Sequence, residues 1–240
     1  MMDAAMMARL IDCILGVLTA FSLSACTGVP DRSAALTAQG EREIVIMDFA
    51  RPPALQPLPA GWRHRMFWTR APMEMSLGSK DGVAAIRLET KASASMLMRT
   101  VDIDLQHYPL LAWRWYVERP IEADASELTR DGDDHPARLF IALSTEAGEA
   151  RNMEIIWGNK VLKAGDTKYL GTFPHYVANG GRANVGRWHA EQVDLLALYR
   201  KFWPDAAPAR LTDIGLFCDS DETRTSSIAW FADLRMRQRP

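Results

Sequence analysis

Two groups of polar side chains stand where chemistry could be done. The first is Asp133, Asp134 and Arg138, at the end of an acidic, turn-rich stretch from Glu118 to Pro136. A guanidinium is a planar fork that matches the two oxygens of a carboxylate. An arginine opening a strand beside two aspartates therefore fits a ligand-binding rim. It fits equally a structural ion pair that locks a long loop onto a sheet. The second group is Asp219, Asp221 and Thr223 in Cys218-Asp219-Ser220-Asp221-Glu222-Thr223. Alternate oxygen side chains after a strand can converge on a hard cation such as Ca²⁺, with Asp219 and Asp221 as its ligands, although this is not an EF-hand loop. They can also hydrogen-bond sugar hydroxyls, or simply serve turn chemistry through bonds to their own backbone. Sequence leaves open whether the two groups face the same edge.

Aromatic residues are the third signal. Sugar rings stack on aromatic faces while the rim supplies hydrogen bonds. Trp157, followed by Gly158-Asn159-Lys160 at a strand end, is the expected exposed platform. Most of the other tryptophans, Trp62, Trp68, Trp113, Trp115, Trp188, Trp203 and Trp230, are expected in the core. Glu122, Asp124 and Glu127 invite comparison with paired-carboxylate glycosidases. They lack the alternating Glu-x-Asp-x-Glu strand arrangement, and a solvated loop is expected there. The histidines show no metal-ligand spacing; His135, beside the acidic loop, is the one to watch. A serine-hydrolase elbow, a P-loop, a Cys-x-x-Cys pair and a His-Glu-x-x-His helix are all missing, so no catalytic residue is assigned.

The elements that must position these groups are short strands. Leu110 to Val117 alternates best: Leu111, Trp113, Trp115 and Val117 share one face. Apolar residues on its other face suggest a central strand packed between layers. Further strands are expected at Ile44–Phe49, Val83–Glu89, Ser95–Val101, Ala137–Ser144, Met153–Trp157, Tyr176–Ala178, Trp188–Val193, Leu211–Cys218 and Ala229–Met236. The one good helical window is Asp194 to Phe202, with Asp194 as cap and Pro204 as stop. Together these describe an all-β, jelly-roll-like β-sandwich with one short helix.

The start of the chain bears on compartment. Leu23-Ser24-Ala25-Cys26 ends an apolar run too short to span a bilayer comfortably, the pattern of a bacterial lipobox. The run also fits a short membrane anchor. The expected organisation is a signal peptide at 1–25, a lipidated Cys26 with a flexible tether at 26–42, and one sandwich domain at 43–240. Resemblance to enterobacterial lipoproteins implies, from Thr27 after the cysteine, a periplasmic site at the inner leaflet of the outer membrane. A lipidated Cys26 and removal of Cys13 leave Cys218 alone, so no internal disulfide is expected. With 28 Lys and Arg against 30 Asp and Glu, nucleic acid is an unsuitable partner, and no basic tract suits anionic lipid. The lipid is then the only expected membrane contact.

Four segments carry a family resemblance: Leu111-Ala112-Trp113-Arg114-Trp115, Asp133-Asp134-His135-Pro136-Ala137-Arg138-Leu139, Ile156-Trp157-Gly158, and Asp219-Ser220-Asp221-Glu222-Thr223 followed by Trp230-Phe231-Ala232-Asp233. In order and spacing the chain resembles the bacterial family DUF3047, over roughly Ile44 to Arg237. The resemblance implies a galactose-binding-like or carbohydrate-binding-module sandwich and no established activity.

The leading expectation is a binding module for a glycan or cell-envelope polymer. Trp157 would stack, and Asp133, Asp134, Arg138, Asp219, Asp221 and Thr223 would supply polar contacts. Two alternatives stay open. One is a hydrolase of envelope carbohydrate using Asp133 or Asp134; the other is a structural lipoprotein that docks a protein partner.

Overall fold

The computed structural model describes residues 32–240, and the expected signal peptide and Cys26 lie outside the described residues. The first strands in chain order are β1 (Leu36–Thr37), β2 (Glu43–Met47), β3 (Trp62–Met66), β4 (Glu74–Lys80) and β5 (Val83–Lys91). Then come β6 (Ser95–Asp104), β7 (Leu110–Arg119), β8 (Arg138–Thr145), β9 (Ala150–Gly158), β10 (Thr167–Leu170) and β11 (Phe173–Gly180). The chain closes with β12 (His189–Asp194), the helix α1 (Leu195–Phe202), β13 (Ala209–Phe217) and β14 (Ser226–Arg237).

The strands form two sheets, as the alternation of the sequence demands. The eight-stranded sheet runs β1-β6-β13-β8-β9-β11-β10, with β3 sharing the β6 edge. The six-stranded sheet runs β12-β7-β14-β5-β4, with β2 beside β14. Their inner faces close over one core. Leu111, Trp113, Trp115 and Val117 of β7 are all buried in it, as their shared face required. They meet Leu139, Ile141 and Leu143 of β8 and Leu211, Ile214 and Leu216 of β13 in the same cluster. The result is a β-sandwich with one short helix. In that helix Asp194 Oδ1 accepts from the Ala197 N–H at 2.9 Å, the expected cap.

Several details differ from the sequence reading. Strands β3, β4 and β10 fall where none was expected. They lie at or beside sheet edges and draw their order from a neighbour's ladder. Within the expected tether, Leu36–Thr37 pairs in parallel with Val101 and Asp102 of β6. Leu36 packs against the core, and the chain passes so close to Gly61 that a Cβ there would lie 2.5 Å from the Ala34 carbonyl oxygen. Cys218, just after β13, is buried and unpaired, and burial pushes its thiol up to about 12, which makes it inert packing. Among the described residues no helix is long and apolar enough to cross a membrane.

Loops that matter for the site gather at one end of the eight-stranded sheet. The β13–β14 loop bonds the β7–β8 loop (Asp219 N–H to His135 O, 3.3 Å) and the turn before β6 (Ser220 N–H to Ser93 O, 3.1 Å). The β9–β10 loop crosses over the outer face, because β9 and β11 pair in parallel and cannot be joined by a tight hairpin.

Candidate functional site

One row of register partners carries the site across four strands: Phe140 (β8), Glu154 (β9), His175 (β11) and Lys168 (β10). Their neighbours in sequence, Leu139 and Ile155, point into the core, so this row lies on the outer face. Arg138 stands two residues before Phe140 on the same face, opposite Phe217 of β13.

Arg138 has a side chain only 4% exposed, and its donors are fully engaged. Nε donates to Glu154 Oε2 at 2.7 Å, and Nη1 to the Asp133 backbone oxygen at 2.7 Å. Nη1 also pairs with Asp219, and Nη2 faces Asp133 Oδ2 at 3.4 Å. Nη2 donates to His175 Nε2 at 3.2 Å, leaving Nδ1 of that ring for the Phe173 carbonyl. The guanidinium lies 5.0 Å from the centroid of the Phe217 ring. Burial opposes charge on Glu154, yet Arg138 holds its carboxyl below the ordinary range. Asp133 is likewise held far down by Arg138, His135 and Lys168, against its own burial. Asp219 goes the other way. Burial, with Asp134 and Asp133 close by, outweighs Arg138 and raises it.

Behind this sits a second buried layer. Lys168 Nζ pairs with Asp133 Oδ1 and donates to the Glu127 backbone oxygen at 2.7 Å and to His135 Nε2 at 2.9 Å. His135 Nδ1 then donates to the Trp157 carbonyl at 2.8 Å, which defines a neutral ring. Burial, with Lys168 and Arg138 nearby, pushes its pKa down to about 4 in spite of Asp133. Glu127 is buried, not in the solvated loop expected from sequence. Its carboxylate accepts from the N–H groups of Asn159, Lys160, Val161 and Leu162 at 2.6, 2.8, 2.6 and 2.9 Å. Such a turn of consecutive amides is a nest for an anion, and here the chain supplies the anion itself.

The two expected polar groups meet. Asp134 is wholly buried and accepts from the Thr223 N–H at 2.7 Å, from Thr223 Oγ1 and from the Glu222 N–H at 3.4 Å. Asp221 Oδ2 pairs with Arg70 Nε at 2.6 Å, and Glu222 lies 3.4 Å from Arg70 Nη2. Asp134 and Thr223 thus clamp loop to loop, and Asp133 serves the buried network. Asp133 also reaches the lining of a neighbouring cleft. Asp134, Asp219, Asp221 and Glu222 bring carboxylate oxygens within 4.8 Å of one another, the one set among the described residues that could hold a hard cation. Each of the four is already engaged by a donor of the chain.

Beside this network opens a cleft of about 440 Å³. Phe140, Phe173 and Phe217 form its aromatic lining, Arg65 and Phe67 one wall, and Arg70, Asp221 and Glu222 another. The Phe140 and Phe173 rings lie 6.4 Å apart, tilted by 31°.

A family model described as a protein of unknown function, DUF3047, matches residues 60–235. The chain belongs to the DUF3047 family. The match runs from β3 into β14, so the buried network and the cleft are both features of the DUF3047 region. No curated protein matches the chain. Among solved structures, the family 30 carbohydrate-binding module of a cellulosomal cellulase of Clostridium thermocellum is similar at 10% identity. That alignment has a TM-score of 0.46 and covers 82% of this chain and 97% of that one. The family 11 module of a second C. thermocellum cellulase aligns at 9% identity and TM-score 0.41, over 82% and 95% of the two chains. An endoglucanase of Rhodothermus marinus aligns at 10% identity and TM-score 0.42, over 75% and 93%. These are likenesses of fold.

For the DUF3047 chain, the expectation for Trp157 is overturned as well. Trp157 is no exposed platform: it is 1% exposed, edge-on to Trp115 at 5.7 Å and to His189 at 5.3 Å. It shares the inward face of β9 with Met153 and Ile155, so its indole is core. The fully exposed indole is Trp68, between the cleft residues Phe67 and Thr69. Sequence reasoning also passed over Arg65, Arg70, Phe140, Glu154, Phe173 and Lys168. Glu154 was visible as the single charge in the apolar run Met153–Trp157; the rest carry no local signal.

Glu222 gives the site a pH dependence. Burial, then Asp134 and Asp221, push its carboxyl up to about 8 from an ordinary 4.5. Between those values the unfolded chain releases this proton and the folded one keeps it, so Glu222 lowers stability as pH rises through the window. Glu222→Gln is expected to raise the thermal midpoint at pH 8 and leave it unchanged at pH 4. A lower midpoint for the variant at pH 8 would mean that Glu222 is ionised and stabilised by Arg70.

Proposed function

We propose that this chain is a glycan-binding protein whose ligand lies in the cleft on the outer face of the eight-stranded sheet. The observation that carries the reading is the lining itself: the part-exposed Phe67 and Phe173 rings for sugar C–H faces, over buried Phe140 and Phe217, flanked by carboxylates and guanidinium groups already fixed in place. Preorganised polar groups reduce the entropy lost on binding. Trp68, exposed at the edge of the cleft, takes the stacking role that Trp157 cannot. With a lipid on Cys26, cell-envelope polymers would be the glycans within reach.

Calorimetry of the full-length protein against envelope and plant glycans tests this. Trp68→Ala and Phe67→Ala are expected to weaken binding at least about tenfold, a loss of about 1.4 kcal/mol each. Trp68 is fully exposed, so Trp68→Ala should melt like the wild type, whereas Phe67 packs partly on the core and its variant is titrated below its own melting midpoint. Unchanged affinity in both variants, or no binding across the panel, would sink the reading. Cleavage is a second reading, favoured by one observation: Glu222 keeps a proton near neutral pH while Glu154 in the same cleft is ionised. Release of reducing ends that disappears in Glu222→Gln would establish it over simple binding.

A further inference from the structure

Charge bookkeeping around the cleft singles out one group. Arg138 and Lys168 are matched by Glu154, Asp133 and Asp219, and Arg70 by Asp221. Glu222 retains its proton near neutral pH. Arg65 is different: it lines the cleft, yet among the described residues it makes no ion pair and no side-chain hydrogen bond. Its guanidinium carbon instead lies 5.6 Å from the Phe67 ring centroid and 5.8 Å from that of Phe140. Contacts of this kind use the flat faces of a guanidinium and leave its in-plane N–H donors free. Those donors form the fork that a carboxylate fits.

We infer that the cleft selects an acidic glycan, with Arg65 pairing with the carboxylate of a uronic acid unit. The inference rests on the glycan-binding reading above and adds the class of sugar. A single carboxylate charge matches the single unpaired guanidinium. A phosphomonoester would bring nearly two charges beside Asp221 and Glu222, where the second has no partner.

The test uses the full-length protein and three oligosaccharides of equal length: an oligogalacturonate, its carboxyl-reduced form, and a neutral cello-oligosaccharide. Calorimetry is expected to show the oligogalacturonate bound at least tenfold more tightly than the reduced form. Its affinity should fall as salt rises from 50 to 500 mM (chosen to bracket physiological screening). Arg65→Gln, at an exposed position, should bring the acidic ligand to the level of the reduced one. Equal binding of acidic and reduced forms, or an acidic preference unchanged in Arg65→Gln, would overturn the inference and leave glycan binding standing. If the neutral or reduced oligosaccharide binds and loses affinity in Trp68→Ala, the cleft reading survives without its acidic specificity. No binding of any of the three by a folded protein would overturn the inference and weigh against the cleft reading as well.

Discussion

Replacing Arg138 by methionine is expected to destabilise the fold by about 3–5 kcal/mol at pH 7, the scale seen when one partner of a buried ion pair is removed. That is a large share of the roughly 5–15 kcal/mol by which a domain is stable. Methionine keeps the unbranched stem and its packing on Phe217, so the loss isolates the charge. Without the guanidinium, Glu154, Asp133 and Asp219 face one another with only Lys168 to offset them, and His175 Nε2 loses its donor. The defect should shrink as pH falls, because protonation removes the repulsion. Glu154 and Asp133 are both held below their ordinary range by Arg138, so their contribution is full at neutral pH and lost as pH falls through their folded-state values. Denaturant unfolding of Arg138→Met, Glu154→Gln and the double variant provides the check. The double variant should be less destabilised than the two single losses added together, since each change removes part of the same imbalance. A loss under about 1 kcal/mol for Arg138→Met, the range of exposed pairs, would show that water reaches the network.

The layered fold was legible because its core strands state their own periodicity. Leu111, Trp113, Trp115 and Val117 alternate without interruption, and Leu195, Leu198, Tyr199 and Phe202 trace one helical face between Asp194 and Pro204. The missed strands could not be read in that way. Trp62-Arg63-His64-Arg65-Met66 puts Trp62 and Met66 on one face, but the pattern is short and carries three basic side chains, and β6 supplies the ladder that makes it a strand. Trp157 was legible and misread: Met153 and Ile155 share its face, so alternation itself assigned it to the core. Trp68, by contrast, sits in Phe67-Trp68-Thr69-Arg70, where nothing local says whether an indole packs or protrudes. The acidic groups around residues 133 and 219 were visible as residue types. Their meeting was not, because Asp134 and Thr223 come together only when two loops far apart in sequence leave the same end of the sheet. Glu127 was hardest. Its partners are four backbone amides of a distant loop, and an amide nest leaves no mark on side-chain composition.

Glu127→Ala is accordingly expected to cost at least about 3 kcal/mol, since it strands a run of amide donors that each need an acceptor. Water can reach those of Asn159 and Lys160 at the surface, whereas the Leu162 amide is buried and has no such relief. Glu127→Gln should do almost as badly at neutral pH. It keeps the shape, but its –NH₂ group presents donors to donors and the charge is gone. Burial opposes the Glu127 charge, yet the four amides hold its carboxyl below the ordinary 4.5. Its stabilisation is therefore present above pH 4.5 and declines as pH falls through the lowered value, so wild type and Glu127→Gln should converge in acid. The damage should also be local before it is global. Asn159 Nδ2 donates to the Asp134 backbone oxygen at 2.7 Å and the Glu127 backbone carries Lys168, so a loosened 159–162 loop unsettles both buried layers beneath the cleft. Hydrogen exchange reads this directly. The amides of residues 159–162 should be protected in the wild type and exchange at least a hundredfold faster in Glu127→Ala, ahead of those in β8 and β13. Protection retained at those four amides would mean that another acceptor holds the loop, and the anchoring role assigned to Glu127 would fall.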